Sequence, residues 1–255
     1  MAYHYTKMEG LGNEFVVLRG PVAITGQKVA QYCNRETGIG ADGVLVVTPE
    51  SDSEVRMEYW NADGSKAEMC GNGLRCTARY AVENNLVRAG TFIVHTPAGQ
   101  LQAVWDGKDE NQIEVQVGVA SVDDEALQIL GIDFYKANVG NPHAITYVDS
   151  VYDYPVGSIG SKVEVDTHFP HRTNVEFIEI VSPTAIKMRV WERGVGETMA
   201  CGTGMVAAAI ATRELRGGTL PMEVSVPGGI AKIWIDQTGF SRMKASAHII
   251  STGSL

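Results

Sequence analysis

Two stretches of the chain alternate apolar and polar residues with the period of a half-buried strand: "VRMEYW" (Val55 to Trp60) and "IKMRVW" (Ile186 to Trp191). Both are rich in β-formers, so a strand is predicted at each. Past a following Gly-x-Gly the period becomes helical. "LRCTARYAVENN" predicts a helix ending near Asn84–Asn85, and "MVAAAIATRELR" predicts one ending near Gly217–Gly218. The second is small and apolar on most faces, which predicts a helix buried all round. A hairpin follows each helix, turning at "TPAG" or "VPGG".

The parallel is a sequence repeat as well as a pattern. Sliding the chain by 131 residues puts Met57 on Met188, Trp60 on Trp191, Cys70 on Cys201, Gly71 on Gly202 and Gly73 on Gly204. "HTPAGQLQAVW" (His95 to Trp105) matches "SVPGGIAKIWI" (Ser225 to Ile235) with a slip of one, and "GNEFVVL" from Gly12 resembles "GNPHAIT" from Gly140 with a slip of three. Four matched segments in one order, at a domain-sized period, predict two similar halves rather than a solenoid. We place them at 1–120, carrying Cys70, and 121–255, carrying Cys201, with the boundary near "VGVASVDDEA" (Val117 to Ala126).

Composition narrows the classes. A chain of 255 residues with 44% hydrophobic and 20% charged residues can bury a real core, as a soluble globular enzyme does. A net charge of −9 argues against nucleic acid or an anionic membrane surface as partner. "MAYHYTKMEG" does not read as a signal peptide, and "GMVAAAIAT", the most apolar run, is too short to span a membrane. Cys33, Cys70, Cys76 and Cys201, without a CxxC pair, read as free thiols in a reducing, cytoplasmic setting and not as a zinc site. Cys33, after "VAQY", and Cys76, inside a helix, read as small buried hydrophobes.

Cys70 and Cys201 read differently, because each stands where a helix begins. A first helical turn offers N–H groups without partners inside the helix, and the positive end of the dipole. This predicts thiol pKa values lowered from about 8.5 toward neutrality. The glycines let a ligand approach the backbone, so each Cys-Gly-x-Gly is also an anion cradle. Equivalent parts of pseudo-symmetric halves are expected to face each other across a shared cleft that closes on a ligand. Two thiols flanking one carbon suit inversion at a centre with an acidic hydrogen. One thiolate takes the proton, the opposite thiol returns one, and the helix starts hold the adjacent carboxylate.

These residues carry a wider resemblance. "GLGNEFVV", "GIGADGVL", "NADGSKAEMCGNGLRC", "GNPHAI", "RTNVEF" and "ERGVGETMACGTG", in that order, closely resemble the diaminopimelate epimerases. The resemblance implies a cofactor-independent, pyridoxal-phosphate-free isomerase that interconverts LL- and meso-diaminopimelate in lysine and cell-wall precursor synthesis, commonly as a homodimer. It implies an α/β (α+β) fold of two pseudo-symmetric domains, each a mixed or antiparallel sheet nearly closed into a barrel around a central helix. It also implies that a strand near 245–255 returns to complete the first domain.

By the same resemblance Cys70 and Cys201 are the acid/base thiols, and Gly71, Asn72, Gly202 and Thr203 offer N–H groups to the substrate carboxylate. Asn13, Asn61, Asn141, Asn174 and Arg193 hold the substrate, Glu192 contacts an ammonium group and tunes the thiols, and His143 tunes the cysteines. No metal ligand set and no nucleotide fingerprint are visible. Three positions depart from the family pattern: Gly43 where some members have glutamine, Trp191 where tyrosine is frequent, and Thr203 for serine. Proline-type racemases share the two-thiol logic but favour histidine where Asn72 stands. A thiol–disulfide oxidoreductase would want a CxxC, and an amino-acid-binding protein would have no use for two thiols.

Overall fold

The computed structural model describes residues 3–67 and 70–255, which fall into two compact units divided between 116 and 117 and again between 243 and 244. The first unit contains β1 (His4–Gly10), β2 (Asn13–Arg19), α1 (Gly26–Cys33), β3 (Gly43–Ser51), β4 (Glu54–Asn61), β5 (Lys66–Ala67), α2 (Gly71–Glu83), β6 (Gly90–Thr96), β7 (Gly99–Trp105) and β8 (Ile113–Gly118), which runs out at the unit's end. The second contains β9 (Ser121–Ile129), β10 (Ile132–Asn138), β11 (Pro142–Tyr147), α3 (Val156–Val163), β12 (Asn174–Ser182), β13 (Ala185–Glu192), β14 (Gly196–Thr198), α4 (Gly202–Arg216), β15 (Met222–Val226), β16 (Gly229–Ile235) and the first three residues of β17 (Ser241–Ala245). The chain then returns to the first unit as β18 (His248–Ser254), antiparallel to β1.

Strand pairing repeats between the units. β2 lies parallel to β3 with Phe15 opposite Gly43, as β11 lies parallel to β12 with His143 opposite Asn174. β3–β4 and β12–β13 are antiparallel, and β4–β6 and β13–β15 are parallel. The hairpins β6–β7 and β15–β16 close with Thr96 opposite Gly99 and Val226 opposite Gly229. Both turn glycines have positive φ, 122° and 141°, a region that excludes most side chains. The mixed α/β, pseudo-symmetric architecture expected from the repeat is therefore present.

Each unit stacks a strand layer between two helices. In the first, α1 packs Val29 and Cys33 onto Val16, Leu18, Val44 and Val46, while α2 packs against β1, β2, β3, β4 and β7. Burial on both faces explains why "FVVL" and "GVLVV" are continuous apolar runs rather than alternating ones. In the second, Val156 and Val163 of α3 join Phe134, Ala144, Val175 and Phe177, and α4 packs against β9 to β13, β15 and β16. Every residue of α4 from Met205 to Thr212 is buried, as its small, apolar composition requires. The helix stops at Gly217, which takes the left-handed conformation of a C-terminal cap. Among the described residues no helix is long and apolar enough to cross a membrane.

Candidate active site

Cys70 is the residue that caps α2. Its extended backbone (φ −145°, ψ 115°) ends the loop, and its Sγ accepts the Gly73 N–H at 3.4 Å. Cys201 occupies the same place before α4 with nearly the same backbone (φ −120°, ψ 115°). The two sulfurs differ in exposure: Cys70 is half-buried and Cys201 is buried. Gly71 and Asn72, like Gly202 and Thr203, supply first-turn N–H groups, which by helix geometry have no acceptor within the helix.

Around Cys70 a polar relay runs inward. The Asn72 amide donates to Asn13 Oδ1, and Asn72 Oδ1 accepts from the Arg75 guanidinium at 2.9 Å. Arg75 also donates to the Gly71 carbonyl at 3.3 Å and the Ser246 carbonyl at 3.0 Å, and it has no exposed surface. Asn61 stands at the end of β4, where its amide donates to Ser65 Oγ at 3.0 Å. Asp63 only closes that turn by accepting the Ser65 N–H.

The second unit surrounds Cys201 with different chemistry. Thr203 Oγ1 lies 3.5 Å from its Sγ and accepts from the Asn141 amide at 3.2 Å. Asn141 Oδ1 faces His143 Nε2 at 3.0 Å, and His143 Nδ1 faces Glu176 Oε1 at 2.7 Å. His143 and Glu176 are wholly buried, and Glu176 Oε2 has no protein partner. The Glu192 carboxyl accepts from Thr198 Oγ1 and lies near enough to Cys201 to act on its thiol. Part of Glu192 reaches the surface, but its carboxyl end is desolvated, and this burial pushes its pKa up.

The lowered thiol expected at a helix start is overturned at Cys201. Burial pushes this thiol well above its usual range, Glu192 and Glu176 push it further, and the Thr203 hydroxyl and Gly204 N–H offset only part. The magnitudes explain the outcome. A helix terminus supplies typically ~0.3–1 kcal/mol, up to ~2, and one pKa unit is about 1.36 kcal/mol. The dipole is outweighed by desolvation and two carboxyls together. Cys33 and Cys76 are raised to about 11 and about 12 by burial, as inert core thiols are.

Asn174 works as a clamp. Its amide donates to the Pro142 carbonyl at 3.0 Å, and its Oδ1 accepts the Arg193 N–H at 3.0 Å, tying the loop after β13 to β11. The exposed Arg193 guanidinium donates to the His171 carbonyl at 3.3 Å, and Glu197 pairs with Arg189 at 2.6 Å. Beside His143 and His171 the second unit has a cavity of about 370 Å³, also lined by Lys136 and Phe169. No group of three or more His, Cys, Asp or Glu side chains is placed to hold a metal among the described residues. Three polar residues were not singled out by sequence: Arg75 on α2, Glu176 beside the start of α4, and Glu164, which holds the Trp191 indole and the Gly194 N–H.

The model of one family, described as diaminopimelate epimerase, matches residues 5–122 and 135–249. The chain belongs to the diaminopimelate epimerase family. Diaminopimelate epimerases from Oceanobacillus iheyensis and Halothermothrix orenii are 35% and 39% identical to it, over 99% and 100% of this chain and 98% of each relative. Among solved structures, a hydroxyproline epimerase from Agrobacterium vitis superposes with a TM-score of 0.77 at 14% identity, covering 100% of this chain and 91% of that one. A Bacillus anthracis protein of the PhzF family superposes at 0.74 with 13% identity, covering 100% and 99%. These two share the fold; the family match adds the class of reaction, and the protein is an isomerase of the epimerase type.

The positions that depart from the diaminopimelate epimerase pattern now have surroundings. A Cβ on Gly43 would meet the Trp60 carbonyl at 2.5 Å and Tyr59 Cε2 at 2.6 Å, so the Tyr59 ring fills the space a side chain would need. Trp191 lies on Gly160 of α3 and donates its Nε1–H to Glu164 at 2.7 Å. Thr203 uses its hydroxyl between Asn141 and Cys201, as a serine could.

Proposed function

We infer that the protein interconverts LL- and meso-2,6-diaminopimelate by exchanging the hydrogen of one α-carbon, with Cys70 and Cys201 as the acid/base pair. What carries this reading is the repeated Cys-Gly-x-Gly at two equivalent helix starts, in a chain of the diaminopimelate epimerase family. One thiolate removes the α-proton, and the other thiol delivers a proton to the opposite face. In the reverse direction the two exchange roles. First-turn N–H groups of Gly71, Asn72, Gly202 and Thr203 bind the carboxylate of the reacting centre and take up charge as the carbanion forms. Asn13, Asn61, Asn141, Asn174 and Arg193 hold the remainder of the substrate, with Arg193 suited to a distal carboxylate. Glu192 binds an ammonium group and exchanges a proton with Cys201, and His143 fixes the Asn141–Thr203 side of the site.

No pyridoxal phosphate and no metal enters this scheme, because the thiols and the backbone cradle supply base, acid and charge stabilisation. Both thiols must be reduced, so we place the enzyme in the cytoplasm. We infer a homodimer, in lysine and cell-wall precursor synthesis, on the strength of the family.

The test is epimerisation in deuterated water with LL-diaminopimelate, and proline as a control substrate. Deuterium should enter a single α-carbon with inversion, and proline should not exchange. Cys70→Ala and Cys201→Ala should each lose on the order of 10²–10⁴-fold in kcat. A variant lacking either thiol that turns over at the normal rate would refute the scheme. Sedimentation of the intact protein reads the homodimer.

A further inference from the structure

The shift of 131 residues that aligns the two cysteines, with the slip of three on β2 and β11, also aligns what lies beside their helix starts. Asn13 of β2 corresponds to Asn141, just before β11, and Asn72 of α2 corresponds to Thr203 of α4. In each unit these two side chains are hydrogen-bonded to each other, Asn72 to Asn13 and Asn141 to Thr203 at 3.2 Å. Further in, the units part. The first has Phe15 and Leu45, both buried and apolar; the second has His143 and Glu176, with no exposed surface and with Nδ1 and Oε1 2.7 Å apart. Phenylalanine and leucine fill this place in one copy, so the fold does not require an ionisable pair there, and burying one is costly. The pair answers a need that packing does not set.

From this pair a continuous path leads to sulfur. His143 Nδ1 faces Glu176 Oε1, and His143 Nε2 faces Asn141 Oδ1 at 3.0 Å. The Asn141 amide donates to Thr203 Oγ1, which lies 3.5 Å from Cys201 Sγ. Donors and acceptors set its direction. A carboxylate and an amide oxygen accept, so both ring nitrogens donate. Thr203 Oγ1 receives the amide hydrogen, which leaves its own hydrogen for the sulfur. Glu176 Oε2 is buried without a partner among the described residues, so the ring is the group that answers this carboxylate. The carboxylate also lies against the helix itself. A Cβ on Gly204 would come within 2.7 Å of Glu176 Oε1 and 3.4 Å of Cys201 Sγ, so glycine lets the two meet.

We propose that Glu176 is a positioning residue for Cys201, acting through His143, Asn141 and the Thr203 hydroxyl, whose hydrogen this chain aims at the sulfur. Thr203 thus serves with its side chain as well as its N–H. The proposal deepens the two-thiol reading above and rests on it. When Cys201 is the base, its sulfur must hold negative charge in a buried place, and a donated hydrogen bond favours that form. Burial, Glu192 of β13 and Glu176 of β12 oppose it, and the Thr203 hydroxyl works against them. Elsewhere around α4 the charged side chains of β9, β15 and β16 are exposed, as is Asp133 of β10, while Lys136 faces the Phe169 ring. Lys187 and Arg189 of β13 pair with Glu179 and Glu197, and the charged residues of α4 itself lie in its last turn. Glu176 therefore acts on the thiol in two opposite senses: its charge raises it, and its chain lowers it.

Three measurements on the reduced, intact protein test this. Long-range proton–nitrogen NMR with isotope-labelled histidine, at neutral pH, should show hydrogen on both ring nitrogens of His143, assigned by its absence in His143→Phe. A ring with one protonated nitrogen overturns the proposal. Iodoacetamide alkylation of Cys201, followed across pH by peptide mass spectrometry, reads the last link. Thr203→Val should raise the midpoint by about 0.5–1 unit, the worth of one hydrogen bond, and Thr203→Ser should restore it. An unchanged midpoint in Thr203→Val overturns the proposal. A cycle of variants isolates the chain from the charge of Glu176. Glu176→Leu should lower kcat about tenfold in the wild type and about threefold or less when Thr203→Val is already present. Equal losses in both backgrounds overturn the role of Glu176. Leucine fills the equivalent place in the first unit, so Glu176→Leu is expected to fold; if circular dichroism shows otherwise, the NMR spectrum and the Thr203 variants decide. NMR and alkylation need no turnover, so their failure is distinct from a failure of the epimerase reading, which would appear as undiminished activity in Cys201→Ala.

Discussion

At the scale of single residues, two carboxyls show opposite responses to their surroundings. Glu164 is held on one side of the loop after β13 by Trp191 Nε1–H, the Gly194 N–H at 2.8 Å and Arg172 at 3.4 Å. Burial pushes its carboxyl up, but these donors outweigh burial and leave it below the usual glutamate range. Trp191→Phe removes a hydrogen bond to a charged group, so we expect a loss of about 1.5–3 kcal/mol in urea unfolding. Glu192 has the opposite shift, raised chiefly by burial. A raised acid binds its proton more tightly in the folded state, so its contribution is complete below about pH 4.5 and is lost as pH rises through its folded pKa. Relative to Glu192→Gln, the wild type should therefore lose stability as pH climbs above that value, read from urea midpoints across pH. Equal pH profiles for the two proteins would contradict the assignment.

At the scale of elements, the strand–loop–helix unit was legible because its signals are local. "VRMEYW" and "IKMRVW" became β4 and β13, and the helices stop at Asn84 and Gly217 as predicted. The raised thiol of Cys201 was not legible, because it depends on burial and on Glu176, which β12 brings beside the helix start from twenty-five residues earlier in the chain. Even so, one signal was available: the repeat itself shows Arg75 opposite Val206 and Glu176 opposite Leu45, charge where the other copy is aliphatic. The helix starts also differ in tolerance. Gly204→Ala would drive a methyl within 2.7 Å of Glu176 Oε1 and 3.4 Å of Cys201 Sγ, whereas Gly73→Ala meets a movable Leu45 methyl at 3.1 Å. We expect Gly204→Ala to lower kcat more than tenfold (about 1.4 kcal/mol of barrier) and Gly73→Ala to lower it less. The reverse order in steady-state rates would refute this.

At the scale of the whole molecule, the first unit is assembled from two ends of the chain. β18 pairs with β1 from His4–Ser254 to Glu9–His248, and the Ser246 carbonyl receives the Arg75 guanidinium. Removing residues 246–255 should unpair β1 and uncover Arg75. Hydrogen exchange is expected to show lost protection in β1 and α2, with α4 still protected. Uniform loss across both units would argue against independent cores. The sequence by itself determined the repeat, the strand and helix periods and the cysteine pair, since spacing and local propensity act over a few residues. Only the tertiary structure decided the ionisation of the site. A thiol's proton affinity is set by burial and by nearby charges, and folding alone buries Cys201 and brings Glu176 of β12 to the start of its helix.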